Sequence, residues 1–196
     1  FSYYAFFHHR GSDGWRDNNR YNINVGYVSL NYAVTKKINI GIQYTRSNYI
    51  SQQPGGLTDS LFGVDSQQSL RNRNWISAPW NVANVYADFN FSEDTKLSIK
   101  LFGIMAERNS VGFMKGLNVA DTFNTTLKSY NTRQLDRDFY NNYGSEIRFL
   151  KSYKLFNQKS ALAVGIRVYR GDMLRKQVGT GTTGDDYDLT VTALSN

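Results

Sequence analysis

The sequence predicts an all-β fold: an antiparallel, membrane-spanning β-barrel wall of about seven strands, with short periplasmic turns and long extracellular loops. Three observations carry this. Several segments of about 10 residues alternate apolar and polar side chains, and none keeps a helical period. Aromatic residues make up 15% of the chain while Pro is only 2, a balance that suits strands. Short connections also alternate with long ones, as they do when tight turns lie at one membrane surface and loops at the other.

The strands fall in order at residues 1–10, 22–34, 38–49, two in the hairpin 83–103 on either side of a turn at 93–95, then 143–153 and 160–170. The first has an ambiguous face. In the second, Val28, Leu30, Tyr32 and Val34 share a side, and in the third Ile38, Ile40, Ile42 and Tyr44 do so opposite Asn39, Gly41, Gln43 and Thr45. The fourth and fifth form a hairpin with Ala83, Val85, Ala87, Phe89 and Phe91 on the face of Leu97, Ile99 and Leu101. In the seventh, Leu162, Val164, Ile166 and Val168 share a face. Short turns at 35–37, 93–95 and 154–159 join these strands. Links of about thirty residues follow the third and fifth strands, a length uncommon in compact domains without a function.

Opposed residues of a hairpin point to one face, so parity fixes a register. A three-residue loop after Ser92 pairs it with Lys96 and sets Phe91 opposite Leu97, Phe89 opposite Ile99, Ala87 opposite Leu101 and Asp88 opposite Lys100. Likewise Val34 faces Ile38, Tyr32 faces Ile40 and Leu30 faces Ile42, and a six-residue loop sets Glu146 opposite Arg167. The charged pairs are expected to face a wet lumen. Two surroundings fit the apolar face: a second sheet, as in a soluble sandwich, or lipid around a closed barrel. Strand length and mid-strand charge favour lipid. Seven strands leave two edges unpaired, which lipid does not tolerate, so the chain reads as an internal segment of a larger barrel.

Net charge is +7, but basic residues are scattered among acidic ones, as in Arg133-Gln-Leu-Asp-Arg-Asp138, and form no stripe for nucleic acid. With no Cys there is no thiolate metal site. His8 and His9 point to opposite faces of a strand and do not chelate together. Gly179-Thr-Gly-Thr-Thr-Gly184 has dinucleotide-loop spacing but no following helical period, and reads as an outer loop. No nucleophile–base or paired-carboxylate constellation is visible, no cofactor is implied, and the chain reads as no enzyme.

The loops carry a resemblance. Gln52-Gln-Pro-Gly-Gly-Leu-Thr-Asp59, Arg71-Asn-Arg-Asn-Trp-Ile-Ser-Ala-Pro-Trp-Asn81, Leu101-Phe-Gly-Ile, Glu107-Arg-Asn-Ser-Val-Gly-Phe113, Arg133-Gln-Leu-Asp-Arg-Asp-Phe-Tyr-Asn-Asn-Tyr-Gly144 and Gly181-Thr-Thr-Gly-Asp-Asp-Tyr-Asp188 follow one another along the chain. In this order they resemble the barrel of TonB-dependent outer-membrane receptors, in particular the ferric-citrate-receptor-like group of Bacteroidota-type bacteria. The resemblance implies a barrel of about 22 strands closed by a plug. Residues 1–196 would be part of the barrel, with the plug outside this sequence. It also implies location in the bacterial outer membrane among lipid and lipopolysaccharide, and import of a scarce nutrient, an anionic ferric chelate or another small nutrient, driven by the TonB complex through the plug.

For an anionic ligand, arginine is the expected contact because its planar fork grips carboxylates bidentately. Candidates on the long loops are Arg71, Arg73, Arg108, Arg133 and Arg137, with Gln52 and Gln53 as hydrogen-bonding partners and Trp75 and Trp80 as pocket walls. The competing reading is that these residues pair with Asp136, Asp138 and other neighbours and only stabilise the loops. A structural or secretion-associated barrel, and a soluble all-β glycan-binding module, remain as alternatives.

Overall fold

The structure is a computed structural model that describes residues 1–193. Its elements are β1 (Ser2–Ser12), β2 (Tyr21–Thr35), β3 (Ile38–Gln52), a short helix α1 (Asp59–Val64), β4 (Trp75–Ser77), β5 (Trp80–Ser92), β6 (Thr95–Gly112), β7 (Phe123–Asn124), β8 (Ser129–Tyr130), β9 (Gln134–Leu155), β10 (Gln158–Gly181) and β11 (Val191–Ala193). One nine-stranded antiparallel sheet runs β1-β2-β3, then β4 and β5, then β6-β9-β10-β11. The other ladder among the described residues is the two-stranded β7–β8. All seven predicted strands are present as β1, β2, β3, β5, β6, β9 and β10, and no second sheet lies over the apolar face among the described residues.

The strands outrun the predicted segments at the long-loop end. β9 has 22 residues and β10 has 24, about twice what a tilted membrane strand needs. β4 and β5 are one strand interrupted at Ala78-Pro79. The interruption is chemical, because proline has no N–H to give to β6. Pairing continues around it: Ala78 N–H donates to the Tyr49 carbonyl at 3.0 Å and Glu107 N–H to the Pro79 carbonyl at 2.9 Å.

Side chains sort into rows that cross the whole sheet. On one face Leu30, Ile42, Val85, Leu101, Ser145 and Val168 stand side by side. The neighbouring row is Tyr32, Ile40, Ala87, Ile99, Ile147 and Ile166. This face is bare: Leu101 is 56% exposed and Ile166 67%. The opposite face carries Asn31, Gly41, Tyr86, Lys100, Glu146 and Arg167 in one row. A sheet with an uncovered apolar band on one side and charge on the other has the architecture of a barrel wall.

Parity holds throughout, and two registers need correction. Ser92 pairs with Thr95 rather than Lys96, because Glu93-Asp94 is a two-residue turn and a bulge at Phe91 takes up the extra residue. The hairpin therefore slips by two positions: Phe89 faces Leu97, Asp88 faces Ser98, and Lys100 lies between Tyr86 and Glu146. Asp88 and Lys100 still share the polar face, and Ser98 Oγ donates to Asp88 at 2.5 Å. At the β2–β3 turn Thr35 pairs with Ile38 and Val34 falls in a bulge, while Tyr32–Ile40 and Leu30–Ile42 pair as predicted. Thr35 Oγ1 accepts the amides of Lys37 and Ile38, both at 3.1 Å, which makes the tight turn. Glu146 faces Arg167 as predicted, across a shorter connection than the six-residue loop. Phe156 and Asn157, at φ 47° and 63°, form a two-residue turn of the kind that matches strand twist.

Two glycines leave room for aromatic rings on the polar face. Gly41 lies under the Tyr86 ring, and a Cβ at Gly144 would meet the Val168 carbonyl and come within 2.8 Å of Phe102 Cζ. Phe102 in turn stacks on Tyr169 at 6.5 Å, and Arg167 lies over it at 4.8 Å. Gly144→Ala is therefore expected to destabilise the barrel by about 1–3 kcal/mol, the cost of overpacking. Gly41→Ala should cost less, since a flexible side chain rather than backbone stands in the way. The temperature at which the folded full-length protein loses its compact gel mobility measures both, and equal mobility curves for Gly144→Ala and wild type would refute this.

Candidate ligand-binding site

The long loops form a cap at one end of the sheet, built around three of the predicted arginines. Arg73 is 0% exposed and Arg133 is 1%. Arg73 grips Asp121 with two bonds, Nε to Oδ2 at 2.7 Å and Nη2 to Oδ1 at 2.6 Å, and donates to the carbonyls of Gly184 at 3.0 Å and Asn131 at 2.9 Å. Its guanidinium lies over the Tyr130 ring at 4.3 Å. Arg133 donates to the Thr182 carbonyl and hydroxyl, at 3.2 and 2.7 Å, and to the carbonyls of Arg73 and Asp186, at 3.0 and 2.8 Å. Burial, and next the nearby Arg73, push the Arg133 guanidinium below its ordinary value, though arginine stays charged. Arg71 serves the carbonyls of Leu70, Val119, Lys115 and Gly116. These three side chains tie residues 53–74, 113–133 and 182–190 into one body.

An apolar cluster lies beneath. Trp75, Val111 and Leu135 are buried, with Ile50, Tyr187 and Leu189 packed against them. The β6–β9 ladder runs unbroken from Thr95–Lys151 to Gly112–Gln134. Val111 and Leu135 therefore point to the same side as Leu97 and Phe149, and the cap leans over the apolar face of the sheet.

The remaining candidates divide by face. Arg108 continues the polar row series and pairs with Asp138 at 3.3 Å. Arg175 pairs with the same carboxylate from the other side, at 2.9 Å. Asp138 is buried between them, with 4% of its side chain exposed, while Arg108 and Arg175 keep 52% and 61%. Arg137 is on the opposite face and bonds Glu107 at 3.0 Å and Asn109 at 2.9 Å. Gln52 is buried and donates to the Asn72 carbonyl at 3.2 Å, and Gln53 is exposed. Trp75 and Trp80 differ in parity on the β4–β5 strand and wall no common pocket. Gly181-Thr182 to Gly184 enters no helix and is the loop held by Arg73 and Arg133.

Sequence reasoning missed Arg175 and Asp121. Arg175 was within reach of parity, since it stands eight residues beyond Arg167 on a strand that was ended too early. Asp121 gave no signal, because its partner is 48 residues away with no periodic element between.

The fold of this sheet has a counterpart among solved structures. The crystal structure of the ferric citrate transporter FecA, in its unliganded form, matches with a TM-score of 0.73 over 88% of this chain, at 17% sequence identity. The chain has the fold of a β-barrel wall. It spans 24% of the length of the FecA chain. No protein-family model and no curated protein sequence matches it.

Arg73→Ala leaves the Asp121 carboxylate buried without its partner, a loss of about 3–5 kcal/mol that falls on the cap. Hydrogen exchange is expected to show residues 182–190 opening while the sheet amides below keep their protection. Arg73→Lys keeps the charge but not the fork and should recover only part of the loss. An unchanged exchange pattern in Arg73→Ala would show that the arginine does not hold the cap.

Proposed function

We propose that this chain is part of the barrel wall of an outer-membrane receptor that imports a scarce nutrient, an anionic ferric chelate such as ferric citrate. In this reading residues 1–196 are barrel, the remaining strands and a plug lie elsewhere in the protein, and the TonB complex delivers energy through that plug. The observation that carries it is the division of the sheet: apolar rows on one side, and on the other the charged row of Lys100, Glu146 and Arg167. Likeness of fold to a transporter supports the same reading. The outer edge of β1 adds a further argument, since among the described residues β2 alone pairs with it, and a strand edge in lipid must be paired.

Within this reading the ligand contacts on the polar face are Arg108 and Arg175. Asp138 holds each guanidinium by one edge and leaves the rest free to meet an incoming carboxylate. Arg71, Arg73 and Arg133 then act as positioning residues, because their donors are taken by the cap. Arg137 and Gln53 are peripheral, and Gln52 belongs to the loop scaffold. The double variant Arg108→Ala/Arg175→Ala in the full-length protein is expected to weaken ferric citrate binding by about tenfold or more, the loss of charge-assisted contacts. Uptake of radiolabelled iron should fall with it and stop when a protonophore dissipates the energy source. Wild-type uptake in the double variant would remove both arginines, and protonophore-insensitive uptake would remove energy coupling.

A further inference from the structure

Helix α1 and the connection from β1 to β2 share an exposed surface that is both apolar and acidic. The helix is fixed at both ends: the Thr58 hydroxyl accepts the Leu61 amide at 3.3 Å, and Gln68 Nε2 donates to the Leu61 carbonyl at 2.6 Å. Leu61 is half-buried, whereas Phe62 and Val64 are exposed, Val64 to 84%. Gln67 fastens the connection to the helix. Its side chain donates to the Trp15 carbonyl at 3.1 Å, its carbonyl accepts the Asp17 amide at 2.9 Å, and its amide donates to Asp65 at 2.8 Å. Trp15, itself exposed, is thereby tied to the C-terminal end of α1. Leu117 is exposed as well and lies over Gly56, where a Cβ would come within 3.2 Å of it. Single exposed apolar residues need no explanation, but four gathered from three segments mark an interaction surface.

The charge around them is negative, in a chain whose net charge is +7. Asp17, Asp59 and Asp65 are exposed, and none forms an ion pair among the described residues. Residues 53–70 contain no Lys or Arg. The arginines beneath are spent: Arg16 donates to the carbonyls of Gly55 and Gln68, both at 2.7 Å, and Arg71 serves those of Lys115 and Gly116. Arg10 and Arg20 lie across the connection, in a groove with Asp13 and Trp75. Three carboxylates thus stand among the apolar side chains, with Lys115 as the cation at their margin.

We propose that this surface docks a cationic amphipathic peptide segment of another protein. The apolar side chains of the segment pack on Trp15, Phe62, Val64 and Leu117, and its lysines or arginines meet Asp17, Asp59 and Asp65. Charge complementarity selects this occupant. A neutral or acidic segment would strip water from three carboxylates and give them nothing in return. An anion of the kind proposed for Arg108 and Arg175 would be repelled here, so the two surfaces take different partners.

The test uses the full-length protein in a non-ionic detergent and labelled synthetic peptides, one alternating lysine with leucine and one alternating glutamate with leucine. Fluorescence anisotropy reads binding, with protein-free micelles as the blank. Wild type is expected to bind the lysine–leucine peptide about tenfold more tightly than the glutamate–leucine one. Asp59→Asn/Asp65→Asn should remove most of that preference, since asparagine keeps the oxygen that accepts the Gln67 amide but not the charge. Phe62→Ser/Val64→Ser should weaken the lysine–leucine peptide about tenfold, and Arg108→Ala should change nothing. Equal affinity for the two peptides, or a preference unchanged in Asp59→Asn/Asp65→Asn, overturns the proposal. A lysine–serine peptide that binds as tightly as the lysine–leucine one overturns it too, because charge alone would then account for the binding. Neither result bears on the outer-membrane reading, which the uptake experiment tests.

Discussion

A backbone amide in hydrocarbon has no water to turn to, and leaving it unpaired costs several kcal/mol. A strand in that setting must give every N–H and C=O to a neighbour, so the ladder must run without gaps. In the outer-membrane setting proposed for this chain, that demand governs the rest of the structure. It tolerates bulges at Val34 and Phe91, beside the turns and near the rim. It tolerates Pro79 only where the strand has risen past the apolar rows, and there Ala78 and Glu107 keep their bonds. Between the rim and the proline, β5 pairs residue by residue with β3 on one side and β6 on the other. An unbroken ladder preserves parity, and parity decides which side chains meet which solvent.

That is why the faces were legible in the sequence and the registers only in part. Period two is local: Val85, Ala87 and Phe89 declare their side without knowledge of their partners. Register depends on turn geometry, which depends on single atoms. Thr35 Oγ1 accepting two amides shortens one turn, and the left-handed pair Phe156-Asn157 shortens another. Parity survived a wrong turn length because a bulge absorbed the odd residue in each of two hairpins. The alternative, a one-residue slip, would have turned an entire apolar row toward the polar side. The outer cap was not legible, since its contacts join residues such as Arg73 and Gly184 across 111 positions.

The cap also shows what a buried arginine does in a segment with little regular structure. Residues 53–74 and 113–133 hold one short helix and the two-residue strands β7 and β8, so many of their carbonyls lack a ladder partner. A guanidinium has donors in a fixed fork and can serve several carbonyls at once. Arg71 and Arg133 do so, and Arg73 adds the Asp121 carboxylate. Removing such charges from water is costly, and Asp121 with the surrounding carbonyls offsets that cost. The candidates picked as ligand contacts for their chemistry are used for that same chemistry, turned inward. Arg20 over the Trp75 ring, at 5.0 Å, joins the β1–β2 connection to the apolar cluster in a similar way.

The sheet thus sorts its cations by parity as well as its apolar residues. Lys100, Arg108, Arg167 and Arg175 stand on the polar face; Asp138 holds Arg108 and Arg175, Phe102 lies under Arg167, and Lys100 neighbours Glu146 in the ladder. Arg46, Arg137, Arg170 and Lys176 stand on the other, at or above the edge of the apolar band. A cation displaced by one position along its strand would move from the polar face to the apolar one, or the reverse. At the level of Ile42 or Val85 that move would place a charge within the bare apolar band; at the level of Arg46 it places the charge beyond that band. The outward cations therefore flank the apolar band: these four lie above the row of Val85 and Leu101, and Lys151 lies at the turn end between Thr95 and Leu162. The positive charge of the chain, which looked scattered along the sequence, is ordered by height and by face once the ladder is in place.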